Sequence, residues 1–284
     1  MRLAIFALLA AGSAVAAPTS LGYGLRLDKA AAGRLASAGG IASPASSRKP
    51  QPIVMTFGAS APPGVLQWMA DSFARKGLRR NGVILAHDLH LKETSRLTFT
   101  DALVTEIGFP ALSAGSKGAA LLTLKVRAEA ARQTTTSPPA TVKYKSGGQK
   151  KWSPSNFRVT VEGLDCTKIG KVDALTFKMK TVERSGPAGA FKLEPGSIEV
   201  PNLVITLPES IGDAWLKWHK QVVLSGEQIE KTVKLEYLAP DLRTLYFTLL
   251  FEDTTPIAIT KVPGPRPQLK VTLHVKRVKL DYPP

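Results

Sequence analysis

Short runs in which apolar and polar residues alternate, broken by Pro- and Gly-containing turns, dominate this chain and predict strands. Tyr23-Gly24-Leu25-Arg26-Leu27-Asp28 alternates as a half-buried strand does, and Phe157 to Leu164 does the same in the second half. Two segments change period. Between about Gly64 and Lys76, Val65, Trp68, Met69 and Phe73 fall on one helical face; between about Ser210 and Leu224, Ile211, Trp215, Trp218 and Val222 do so. Asn81-Gly82 is a tight-turn signal, with a strand expected over Val83 to Leu91 and a hairpin partner over Ser95 to Glu106. Gly39-Gly40 to Pro52, rich in Ser, Pro, Arg and Lys, reads as a long mobile loop.

The pattern occurs twice. Val54-Met55-Thr56-Phe57 leads to Leu66-Gln67-Trp68, and Val204-Ile205-Thr206-Leu207 leads to Leu216-Lys217-Trp218 with the same internal spacing, 150 residues later. At that offset Val83 and Leu85 answer Val233 and Leu235, and Leu97 and Phe99 answer Phe247 and Leu249. Leu122 to Val126 answers Val271 to Val275 one residue out of step. A period this long implies two complete domains and not a stack of short repeats. The expected fold is mainly β with one helix per repeat. The boundaries read as a leader over 1–16, a first domain over 17–133, a linker over 134–153 and a second domain over 154–284. The linker is poor in large apolar residues and rich in Thr, Pro, Gly and Lys.

A length of 284 residues suits two domains that each bury a core. The formal net charge is +16, and its excess lies mainly in the first 150 residues, which hold 19 Lys/Arg against 7 Asp/Glu. Such a balance can attract nucleic acid, acidic partners or anionic lipid, but the basic residues are dispersed and no aromatic-interleaved nucleic-acid signature accompanies them. A solvated face is the simplest reading; a positive channel or partner surface is the sharper one. No internal stretch is long and apolar enough to span a bilayer. At the N-terminus, Arg2, the apolar run Leu3 to Ala11 and Ala14-Val15-Ala16 form an export-signal pattern with an A-x-A cleavage site. The expected location is therefore periplasmic or extracellular, or cytoplasmic before assembly if the leader is not used.

Little in the sequence points to catalysis, a cofactor or a metal. His87 and His90 stand three apart, which on a strand sends them to opposite faces, so solvated or edge positions are expected and not a ligand pair. His219 beside Trp218, and His274 in an alternating run, have no acid or nucleophile at catalytic spacing. Cys166, the sole cysteine, can form no intramolecular disulfide and reads as a small buried filler. Trp215 and Trp218 are expected in the core, an aromatic docking patch being the alternative. No Walker loop or dinucleotide fingerprint occurs.

Several segments together resemble the tail-tube proteins of contractile phages and related injection particles. In the first half these are Tyr23 to Asp28 running on to Gly39-Gly40, Leu66-Gln67-Trp68, Arg80-Asn81-Gly82-Val83-Ile84 and Phe99-Thr100-Asp101-Ala102-Leu103-Val104-Thr105-Glu106-Ile107-Gly108-Phe109-Pro110. In the second they are Ser155 to Val159, Glu199-Val200-Pro201-Asn202-Leu203 and Leu235-Glu236-Tyr237-Leu238-Ala239-Pro240. The resemblance covers nearly the whole chain after Ala17 and implies two tandem tail-tube-like β-barrel or sandwich domains, each flanked by a helix. It implies self-association into rings around a channel, trimeric or hexamer-like, with sheath, baseplate or spike proteins as partners. It assigns no catalytic, cofactor-binding or metal residues. An export signal is not part of the family pattern. Two readings stay open: a structural subunit of a tube or tube-to-spike hub, and an exported monomeric binding or scaffold module.

Overall fold

The computed structural model describes residues 22–40, 49–145 and 152–283. The leader, most of the Gly39–Pro52 loop and the centre of the expected linker lie outside them. The first half contributes β1 (Gly22–Leu27), β2 (Gly33–Leu35), β3 (Ser37–Gly39), β4 (Ile53–Phe57), α1 (Val65–Phe73), β5 (Arg80–His87), β6 (Glu93–Phe109), β7 (Leu112–Ser113), β8 (Leu122–Arg127) and β9 (Ala130–Thr135). The second contributes β10 (Phe157–Val161), β11 (Lys171–Val172), β12 (Leu175–Ser185), β13 (Phe191–Glu199), β14 (Leu203–Pro208), α2 (Asp213–His219), β15 (Lys231–Leu238), β16 (Leu245–Val262) and β17 (Gln268–Asp281). A five-residue π-turn, Lys220–Leu224, prolongs α2. Among the described residues the protein is mostly β, with antiparallel sheets and one α-helix in each half.

In the first half the strands run β1-β5-β6-β8-β4. The bent stretch 33–39 then joins the two ends: β2 pairs with β1, β3 pairs with β4, and the Ala36 N–H bonds Thr56 O between them at 2.7 Å. That closure makes a barrel, the arrangement that leaves fewest free edges. In the second half the order β10-β15-β16-β17-β14-β11 matches it strand for strand, with β17 taking the line that β8 and β9 share along β6. The details match too. The β5–β6 ladder slips between Arg80 and Gly82 and again between Ala86 and His87; the β15–β16 ladder slips between Lys231 and Val233 and between Tyr237 and Leu238. The long strand bulges between Val104 and Glu106 in one half and between Pro256 and Ala258 in the other. Asp101 and Asp253, three residues ahead of Val104 and Pro256, both take φ 51. Bulges of this kind bend a strand and raise its twist, which lets one long strand serve two sets of neighbours.

These ladders correct the register of the echo. Phe99 lies opposite Gly82 and Leu97 opposite Ile84, while Phe251 lies opposite Val233 and Leu249 opposite Leu235. Phe99 therefore corresponds to Phe251, not Leu249, and Gly82 takes the place of Val233. Leu122 and Leu269 correspond because they face Phe57 and Leu207, the last apolar residues before each helix. Asn81-Gly82 is not a turn. It sits in β5, where the Phe99 ring covers Gly82: a Cβ there would lie 2.4 Å from the ring edge. Asn81 Oδ1 accepts the Asp101 N–H at 2.9 Å, which holds the left-handed Asp101 in place.

The two helices end up as the periodicity predicts. Trp68 and Trp218 are fully buried, and each indole N–H donates to a backbone carbonyl beyond its helix, Leu78 O and Ile229 O, both at 3.0 Å. Trp215 is buried as well and donates to Asp165 O at 3.1 Å.

Candidate assembly interface between the two halves

The halves exchange strands. β7 leaves the first half to pair with β11, Leu112 opposite Val172 and Ser113 opposite Lys171. In return the hairpin β12–β13 leaves the second half, and Leu175–Lys178 pairs antiparallel with Glu106–Phe109 at the far end of β6. This edge becomes available because β5 pairs with β6 only as far as Ala102. The bulge then turns the strand toward new partners.

Aromatic side chains fill the joint. Phe177 meets Phe73 of α1 edge-on at 4.9 Å and Phe109 at 5.9 Å. Phe109 in turn reaches Tyr237 and Phe247 of the second half at 5.7 and 5.9 Å, and Tyr237 stacks on Phe247 at 4.4 Å. Trp152 closes the cluster 5.2 Å from Tyr237. It is buried, although the segment 134–153 reads as a linker by composition. The rest of that segment, where described, also packs on the first half: Thr134 and Thr135 end β9, and Val142 is buried beside Leu85 and Ala32. One core thus runs through both halves.

Charged groups fasten the hairpin from outside. Glu129, between β8 and β9, is buried; it accepts the Leu193 N–H at 3.0 Å and Lys192 Nζ at 2.6 Å, and lies 3.4 Å from Arg79 Nε. Arg79 also donates to Leu193 O. Burial alone would raise the Glu129 carboxyl, but the Leu193 N–H and the Lys192 and Arg79 cations outweigh it and hold the group below the usual carboxylate range. Opposite Leu193, Glu183 of β12 sits between Lys49 and Arg127, each at 2.8 Å. Two cations of the first half, Lys49 and Arg127, are thereby met by an acid from the second. At the other end of the seam, the Tyr282 hydroxyl donates to Gln67 Oε1 on α1, and Gln67 donates to the buried Asp71 at 2.9 Å.

The residues considered for chemistry lie apart. His87 is buried at the end of β5 and not solvated: its ring meets Tyr144 edge-on at 5.7 Å and Nδ1 donates to Asp88 O at 2.7 Å. His90 is exposed in the turn that follows, beyond the strand, which ends at His87 and not at Leu91. His219 closes α2 half-buried, and His274 is exposed on β17. Cys166 is half-buried, and burial pushes its thiol up, away from a reactive thiolate. Among the described residues no three His, Cys, Asp or Glu side chains converge to hold a metal ion. Sequence reasoning missed the joint, although two signals of it were present: Trp152 alone in a polar stretch, and Phe109 next to the end of the family-like run Phe99 to Pro110.

No protein-family model matches the chain, and no curated protein does. Among solved structures it is similar to tube, cap and Hcp proteins of contractile injection systems. The cap that terminates the anti-feeding prophage tube is 16% identical, over 52% of this chain and 98% of that one, with a TM-score of 0.37. The sheath/tube terminator of the extracellular contractile injection system PVC is 18% identical, over 50% and 99%, with a TM-score of 0.37. Hcp1 from Flavobacterium johnsoniae is 8% identical, over 44% and 93%, with a TM-score of 0.27.

Proposed function

We propose that this chain is a structural, self-assembling subunit of a phage-tail-like tube, or of the hub that joins such a tube to a spike, made of two tail-tube-like modules in tandem. The observation that supports it best is the joint between the halves. One module extends the sheet of the other through a strand edge, and the matching ladders, bulges and buried Trp68 and Trp218 support reading both as versions of one unit. Edge-to-edge joining satisfies backbone groups that a lone module would leave open, and it can continue from chain to chain. Three chains would supply six modules around a channel, whose lining side chains would set what passes. Sheath, baseplate or spike proteins are the partners this role requires. Export through the leader belongs to the same proposal.

Mass photometry and negative-stain imaging of the purified mature protein test it. Closed rings of three chains, or six if two layers stack, are expected. A protein that stays monomeric at high concentration would remove this reading and favour an exported binding module.

A further inference from the structure

We propose that the second half carries a docking surface for the first half of another copy of this chain. It is formed by the free edge of β16 at Ile257–Val262 and the end of the second helix at Val223 and Leu224. The proposal rests on the self-assembly reading and adds which surfaces meet and in what order.

The matching bulges fix the correspondence: Val104, Glu106 and Ile107 answer Pro256, Ala258 and Ile259, because each set faces equivalent partners across the same slip. The edge Glu106–Phe109 is therefore Ala258–Lys261 in the second half. The first is covered by Leu175–Lys178 of β12. The second is not: β15 pairs with β16 only as far as Thr254, and beyond it β16 pairs with β17 alone among the described residues. This edge is rich in β-branched residues, and Ile257 and Val262 are 45% and 39% exposed. Long apolar strand edges left bare in this way invite a partner strand.

The helices give the same result independently. Trp68 and Trp218 align α1 with α2 through their shared indole bonds, which places Val223 and Leu224 where α1 has Phe73. Phe73 is 6% exposed under Phe177, whereas Val223 and Leu224 are 44% and 72% exposed. In the first half a single strand covers both places, since Leu175–Lys178 pairs with β6 while Phe177, in the same stretch, packs on Phe73. The two bare places in the second half thus lie within reach of one incoming strand. Repeating the internal joint once more sets the first half of a second copy against this surface. Such a contact is head-to-tail, so no residue meets its own copy, and it closes into a ring or continues as a filament.

Two double variants probe the surface: Val223→Glu with Leu224→Glu, and Ile257→Lys with Val262→Lys. Mass photometry across a concentration series reads assembly, and thermal melts followed by circular dichroism check that the monomer is folded. Each variant should assemble at least about tenfold more weakly than the wild type, corresponding to about 1.4 kcal/mol, with an unchanged melt. If the wild type assembles and both variants match it, this surface is not the joint, although self-assembly stands. A wild type that never assembles defeats the self-assembly reading and this proposal together. Orientation is read in Leu224→Cys on a Cys166→Ala background. No dimer linked through position 224 should form on oxidation; such a dimer would indicate a two-fold contact and overturn the head-to-tail order.

Discussion

Trp68 and Trp218 hold the same place in the two halves by the same means, a fully buried ring whose N–H finds a carbonyl ten or eleven residues further on. Removing that ring from a core without room to collapse costs volume and a hydrogen bond together. Trp68→Ala is expected to lower stability by about 3–5 kcal/mol in urea titrations, and Trp68→Phe by less, since most of the contact remains. Helical spacing alone made both tryptophans legible as core. Glu129 was not legible, because its partners Arg79, Lys192 and Leu193 lie 50, 63 and 64 residues away. Its carboxyl is held below the usual value near 4.5, so its contribution is fully present above that pH and is lost as pH falls through the lower value of the folded state. Protection of the strand Phe191–Glu199 against hydrogen exchange, taken relative to the intrinsic rate at each pH, should therefore fall on acidification, and Glu129→Gln should show part of that loosening already at neutral pH. Equal protection in the variant and the wild type at both pH values would show that Glu129 does not fasten the hairpin.

At the level of elements, period two and period 3.6 located most of the strands and both helices, but not the register between the copies. The second copy has one residue more between its helix and the next strand and one more in the turn that follows, so an echo that starts at an offset of 150 for Trp68 reaches Phe251 for Phe99. Register is set by cross-strand partners, which periodicity does not contain. Asn81-Gly82 is the plainest example. As a dipeptide it has turn chemistry, yet the glycine serves to seat the Phe99 ring and the asparagine to bond Asp101. Gly82→Ala should then be destabilising, by about 1–3 kcal/mol as for other overpacked core positions, because its Cβ meets both the ring edge and Arg26 O at 2.9 Å. Pairing it with Phe99→Leu should recover part of the loss if the ring is the main obstacle. No recovery in chemical denaturation would place the obstacle at the backbone.

At the scale of the whole molecule, a tandem echo invites a picture of two beads on a string, and composition supports it by making 134–153 look like a linker. Which sheet a strand joins leaves no mark on its periodicity, so the exchange of β7 for the β12–β13 hairpin could not be read from the hydrophobic pattern. That exchange changes what a cut should do. A protease site inserted between Lys145 and Trp152 severs the covalent tie but leaves the ladder from Glu106–Phe109 to Leu175–Lys178 and the cluster of Phe73, Phe109, Phe177, Tyr237 and Phe247 across the break. The cleaved protein should elute from a sizing column as one species of full mass and separate only in denaturant. Expressed alone, the first fragment would present an open β6 edge and the bare Phe73 and Phe109 rings, and it should aggregate or bind a hydrophobic dye; the second fragment added in trans should suppress both. Two fragments that part in plain buffer, each unfolding cooperatively alone, would mean that the modules are independent and that the exchanged strands contribute little to holding them together.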